Sequence, residues 1–92
     1  MHTHRIAISM EDTDIERETT ILLISTTESL ADVCEQLQIA FNEYDRAEGI
    51  ALKYREAYGW GILGFVEYLN RIYGYWRIEE EIPDETLEFI GM

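Results

Sequence analysis

Residues 59–64 read GWGILG, which matches the G-x-G-x-x-G spacing of dinucleotide-binding loops. Such a loop follows a strand, and its glycines let backbone amides meet a pyrophosphate at the start of a helix. The preceding segment, residues 50–58, fits either a strand or a helix by apolar spacing, and its Ala, Leu, Lys, Arg and Glu content favours a short helix. Trp60 would also place a large ring in the tight turn. We therefore predict a glycine joint where Trp60 packs and two helices meet closely, not a nucleotide site.

Other residues that could do chemistry each lack part of the required pattern. Residues 12–16 begin like a calcium loop, with acids at alternate positions, but Arg17 stands where the loop needs glycine. His2 and His4 could ligate a metal together, but no third ligand lies near them in the sequence. Cys34 falls on the apolar stripe of a helix, which predicts a core residue. We predict no catalytic residue, no metal site and no cofactor, and hence a protein that is not an enzyme.

The charge of the chain is its strongest compositional signal. Nineteen acidic residues face seven Lys and Arg, and the formal net charge is −12. This excess of negative charge disfavours direct binding to nucleic acid or an anionic membrane, and it favours binding to the basic surface of another protein. One cysteine excludes an internal disulfide, and no apolar run approaches the roughly 20 residues of a membrane span. We expect a cytoplasmic protein.

The periodicity predicts an α+β fold in a single domain, residues 1–92. Two strands, HRIAISM and TTILLIST, are expected to form an N-terminal β-hairpin with a long acidic connection. Two or three helices follow, and one or two C-terminal strands, in YWRIEEEI and TLEFI, complete an antiparallel sheet packed on the helices. The first helix is expected to begin at Thr27 or Ser29 and to stop at Gly49.

The first helix has two contrasting faces. At about 100° per residue, one stripe is apolar and the opposite stripe is acidic. Ile39 is the exception, because it lies among the carboxylates. The apolar stripe is Leu30, Val33, Cys34, Leu37, Phe41 and Tyr44, and the acidic stripe is Glu28, Asp32, Glu35 and Glu43.

The acids are grouped along the chain. One helical row has a rise of about 4.5–6 Å between acids, whereas duplex DNA carries one charge per roughly 1.7 Å of axis. Several rows together could approach that density, which favours a binding protein whose carboxylates stand in for phosphates. The candidate partner-binding acids are Glu11, Asp12, Asp14 and Glu16 in the hairpin connection, Glu28, Asp32, Glu35 and Glu43 on the helix, and Glu79, Glu80, Glu81, Asp84 and Glu85 near the C-terminus.

Three stretches resemble a known family: the opening RIAISMEDTDIE, the helix TTESLADVCEQLQIAFNEYD and the ending RIEEEIPDETLEFIGM. They are similar to the anti-restriction-nuclease proteins of T-even phages, small acidic proteins that mimic DNA. The resemblance implies an α+β fold, a homodimer whose joined surfaces extend the phosphate-like rows, and action in the host cytoplasm. It also implies two kinds of partner, a restriction endonuclease of the McrBC type and a nucleoid protein of the H-NS type.

A second interpretation is a small dimeric adaptor or antitoxin-like module that binds through its aromatic C-terminal half. That half holds more rings than one small core needs, and clustered exposed rings often mark an interface. A tyrosine-rich core with hydroxyls at its rim would account for the same residues. The rings are Tyr58, Trp60, Phe65, Tyr68, Tyr73, Tyr75 and Trp76.

Overall fold

Two long N-terminal strands form the base of the molecule. The computed structural model describes residues 1–11 and 17–81. Strand β1 (His2–Glu11) pairs antiparallel with strand β2 (Arg17–Thr26) in unbroken register, from His2 opposite Thr26 to Glu11 opposite Arg17. Both strands therefore reach further into the acidic connection than the sequence predicted.

Strand β3 (Arg77–Glu81) pairs antiparallel with the other side of β2 and gives the sheet order β1-β2-β3. Alternation along the strands separates the two faces, as a side-chain period of two requires. Met10, Leu22 and Ile24 are buried on the face that meets the helices. The second predicted C-terminal strand, TLEFI, lies outside the described residues.

The helices follow the hairpin in one continuous run. They are α1 (Leu30–Arg46), α2 (Ile50–Tyr58) and α3 (Ile62–Ile72). The segment that fitted both helix and strand is thus a helix, α2. A hairpin, three helices and a C-terminal strand in a three-stranded sheet, among the described residues, confirm the predicted α+β fold. In the same residues no helix has both the length and the apolar character needed to cross a membrane.

Helix α1 is rotated relative to the predicted apolar stripe. Val33, Leu37 and Tyr44 are buried as expected, and Ala40 joins them. The prediction that Cys34 is a core residue is wrong, because Cys34 is exposed. The buried line follows steps of three and four residues from Val33, and Cys34 lies about 100° away from that line.

The ends of α1 are fixed by local hydrogen bonds. Ser29 caps the N-terminus, since its hydroxyl accepts from the Asp32 amide at 3.2 Å, as the capping pattern predicted. The predicted stop at Gly49 is wrong. The helix ends at Arg46, and Ala47 adopts the left-handed conformation, with φ 54°. The Glu48 amide then bonds the Glu43 carbonyl at 3.0 Å, as in a Schellman motif.

The glycine-rich stretch is a joint between α2 and α3, as predicted. Gly59 caps α2 with φ 78°, a conformation that favours glycine, and its carbonyl accepts the Tyr44 hydroxyl at 2.7 Å. Trp60 stacks on the Tyr44 ring with centroids 6.1 Å apart. A Cβ on Gly64 would overlap the Tyr44 hydroxyl and lie 2.9 Å from Tyr58 Cβ. Gly64 is therefore needed for close packing of α3 against the Tyr44 hydroxyl.

Replacing Gly64 with alanine should destabilise the protein by at least about 1–3 kcal/mol, because the added methyl displaces a packed tyrosine. Gly74→Ala is the matched control, since its nearest heavy atom, the Asn70 carbonyl oxygen, lies 3.8 Å from the added Cβ. Urea unfolding, followed by tryptophan fluorescence, measures the stability of both variants. Equal stability of the two variants would contradict the proposed role of Gly64.

Replacing Ala47 with glycine should stabilise the protein by about 0.5–1 kcal/mol, because glycine adopts φ 54° without the steric cost that alanine bears. Ala57→Gly, at an exposed position inside α2, should instead destabilise by a similar amount, about 0.5–1 kcal/mol. Thermal unfolding of the two variants should therefore shift in opposite directions, and a shared direction would contradict the cap assignment.

Candidate functional site

Glu28 lies at the junction of β2 and α1 and accepts hydrogen bonds from within the molecule. Trp76 donates its indole N–H to Glu28 Oε1 at 2.6 Å, and Gln36 donates its side-chain amide to Oε2. The backbone carbonyl of Glu28 accepts from His4 Nε2 at 2.9 Å. The carboxylate of Glu28, just before α1, therefore ties Gln36 of that helix to Trp76.

The hydrogen bonds of Glu28 favour its charged form. The Trp76 N–H lowers the pKa of the Glu28 carboxyl most, partial burial opposes this, and the bonds from Gln36 and Thr26 lower the pKa further. A lowered pKa in the folded state stabilises the protein above the ordinary carboxyl range, and this contribution is lost as the pH falls through the lowered value.

Glu43 is the second acid of the predicted helical row with an internal partner. It is half-buried, and its Oε1 accepts the Tyr68 hydroxyl at 3.0 Å. Burial raises the pKa of Tyr68 most, and the bond to Glu43 and its charge raise it further. The row predicted along α1 is therefore reduced to Asp32 and Glu35, which are both exposed.

The acids of β3 divide between the two faces of the sheet. Glu81 accepts two hydrogen bonds from Arg5, at 2.8 and 3.0 Å, in a pair that bridges across β2. Glu79 lies 3.7 Å from Arg77 in an exposed ion pair. Glu80 alternates to the opposite face and is exposed. Of these three candidate acids, Glu80 is the one without an ion pair among the described contacts.

Two further arginines, Arg55 and Arg46, have partners within the chain. Arg55 donates to the carbonyls of Tyr44 and Asp45, both at 2.9 Å, at the end of α1, and it lies over the Trp60 ring at 5.2 Å. This placement suits the negative end of a helix. Arg46 lies 3.5 Å from Glu48. Within residues 1–10 and 19–81, whose exposure the structure describes, exposed acids without a described ion pair are Asp32, Glu35, Asp45, Glu56 and Glu80.

Most of the remaining candidate acids belong to segments that the structure leaves undescribed. Glu11 lies at the end of β1, opposite Arg17. Five others lie outside the described residues: Asp12, Asp14 and Glu16 in the connection, and Asp84 and Glu85 near the C-terminus. The exposed acids Asp45 and Glu56 fall outside the rows predicted from the sequence.

The aromatic residues form the core of the helical layer. Tyr44, Phe65, Tyr68 and Trp76 are buried. The Tyr73 hydroxyl donates to the Gln36 carbonyl at 3.3 Å. No buried side-chain polar atom in the described part of the chain lacks a hydrogen-bond partner. Most of the rings thus serve the core, with hydroxyls bonded at its rim, and Tyr58 and Tyr75 are the large exposed rings.

Neither a metal cluster nor a known relative adds to this picture. Among the described residues, no group of three or more His, Cys, Asp or Glu could hold a metal ion. Comparison with protein families, curated proteins and solved structures found no match to this chain. The candidate site therefore rests on the positions and partners of the carboxylates.

Replacing Glu28 with glutamine should lower the urea midpoint at pH 7, because an amide replaces the charged acceptor of the Trp76 and Gln36 donors. The deficit should shrink as the pH falls below the ordinary carboxyl range, where wild-type Glu28 also loses its charge. Glu35→Gln, at an exposed position, is the control for the loss of one negative charge. Equal midpoints of the two variants at every pH would contradict this assignment.

Proposed function

We propose that this protein is a DNA mimic: a binding protein, without enzymatic activity, whose exposed carboxylates occupy a groove that normally holds DNA phosphates. Its partner is a basic, DNA-binding protein of the host cell, with a McrBC-type endonuclease and an H-NS-type nucleoid protein as the first candidates. The mechanism is competitive and electrostatic, and it takes place in the host cytoplasm.

The observation that carries this proposal is that arginine side chains have partners within the chain while acidic side chains are left exposed. Arg5 is paired with Glu81 at the surface and Arg55 donates to the end of α1, while Asp32 and Glu35 face solvent on α1 without a described ion pair. Residues three apart on a helix lie on one face, with about 5–6 Å between Cβ atoms. With a formal charge of −12, the surface attracts a basic partner.

The placement of the rings gives less support to an adaptor that binds through its aromatic half. Trp76 is 4% exposed and Trp60 is half-buried against Phe41 and Tyr44. Hot spots of interfaces need rings that a partner can reach. The argument for a homodimer through these rings weakens for the same reason, so we propose the dimer only as a property implied by the family resemblance.

Reversing Asp32 and Glu35 to lysine should weaken competition with DNA and leave the fold intact, because both side chains are exposed. The measurement is displacement of a fluorescent duplex from a purified H-NS-type or McrBC-type protein. We expect the double variant to need at least about tenfold more protein for half-displacement, as loss of complementary charge predicts.

The matched control is the double reversal of Asp45 and Glu56, which makes the same change in net charge at exposed acids outside the predicted rows. This control variant should displace the duplex nearly as well as the wild type does. Displacement by the wild type should weaken steeply between about 50 and 200 mM salt. Displacement that is indifferent to salt, or equal loss in both double variants, would count against a defined phosphate-like surface.

A further inference from the structure

An apolar groove with acidic side chains at its rim opens where α1, α2 and α3 meet. Its volume is about 420 Å³, and its apolar lining comes from Ile39, Ile50 and Ile72. Ile39 is 49% exposed and Ile50 is 50% exposed, so their side chains face solvent across the groove. This explains why Ile39 interrupts the acidic face of α1.

The C-terminal cap of α1 places two carboxylates at this groove. Glu43 and Glu48 both line it, and the Glu48 amide bonds the Glu43 carbonyl at 3.0 Å. Glu43 Oε1 accepts the Tyr68 hydroxyl, while no hydrogen bond to Oε2 is described. No cation is among the residues that line the groove, and the one described ion pair of its carboxylates joins Glu48 to Arg46 at 3.5 Å, with both side chains exposed.

The carboxylates of the groove act on the tyrosines that line it. Burial raises the pKa of Tyr68 and Tyr73 most, and the charge of Glu43 raises both further. The charge of Glu48 also raises the pKa of Tyr68. A positive group entering between these residues would therefore be stabilised by both carboxylates.

We propose that this groove receives one long cationic side chain, an arginine or a lysine, of the basic partner protein. Its aliphatic stem lies between Ile39, Ile50 and Ile72, and its charged head meets Glu43 and Glu48. The inference rests on the proposed function, because it names the point at which a basic partner is anchored. It adds an apolar contribution that a DNA phosphate row does not offer.

The chemistry of the groove selects this occupant. Arginine and lysine side chains bury their methylene stems on apolar surface and keep their charge in a polar setting. A purely apolar group would make no use of the two carboxylates, and a bare metal ion would make no use of the three isoleucines. Partly desolvated anchors of this kind, rather than exposed ion pairs, carry most binding energy at interfaces.

The test is an NMR titration of the isoleucine methyl groups with the peptide acetyl-Arg-Leu-Arg-amide and with the same peptide carrying citrulline for arginine. Citrulline keeps the shape of arginine and removes its charge. The arginine peptide should shift the methyl signals of Ile39, Ile50 and Ile72, and the citrulline peptide should not. Shifts that are equal for both peptides, or absent from these methyl groups, would overturn the proposal.

Two matched pairs of variants separate the groove from diffuse attraction. Ile50→Ser and Glu48→Gln should each weaken peptide binding by about three- to fivefold. Leu52→Ser, at a position on α2 that is 48% exposed and outside the groove, and Glu56→Gln should change binding by less than about twofold. Equal effects within each pair would overturn the groove assignment.

The failure of this inference can be told from the failure of the proposed function. If the groove variants compete with DNA as well as the wild type does and the Asp32 and Glu35 reversals do not, the proposed function is supported and the groove assignment is overturned. If the groove binds the arginine peptide but the protein never displaces DNA, the proposed function as a DNA mimic is overturned. Methyl shifts that follow protein concentration alone would assign the groove to a second copy of the chain and overturn the proposal.

Discussion

The helical layer depends on one buried hydroxyl. Tyr44 is fully buried at the centre of the aromatic cluster, and a buried polar group without a partner costs about 1–3 kcal/mol. The carbonyl of Gly59 accepts that hydroxyl at 2.7 Å, and Gly64 leaves room for it beside α3. A stretch that matches a phosphate-binding loop by its letters thus provides the acceptor and the space for a tyrosine of another helix.

The carboxylates of the protein fall into two groups with different duties. Glu28 and Glu43 accept hydrogen bonds from Trp76 and Tyr68, and this satisfies the polar atoms of two large buried rings. Glu28 therefore cannot be offered to a partner without loosening the core, and Glu43 is available only through its second oxygen, Oε2. A binding surface must therefore use acids such as Asp32 and Glu35, whose side chains have no such role. The excess of acid over base serves both purposes, since Arg5 and Arg55 already have partners within the chain, at Glu81 and at the end of α1.

The cap of α1 links the backbone to the proposed anchor. Because Ala47 takes the left-handed conformation, the chain turns back, and Glu48 and Gly49 close one side of the groove before α2 begins. Glycine at position 47 would hold this turn at a lower steric cost. The groove is thus a consequence of how one helix ends and how closely α2 and α3 pack beneath it.

The sequence by itself determined the elements of the fold. Alternation predicted β1, apolar spacing predicted α1 and α3, capping chemistry predicted Ser29, and helix propensity favoured α2 over a strand, because all these signals act within a few residues. Tertiary structure alone decided that Cys34 is exposed, that Ala47 and not Gly49 follows the end of α1, and which carboxylates have partners. Glu28 meets a residue 48 positions away, Glu43 one 25 positions away and Glu81 one 76 positions away. Periodicity shows which residues share a face of one element, but the rotation of that element and its distant partners are set by packing against the others.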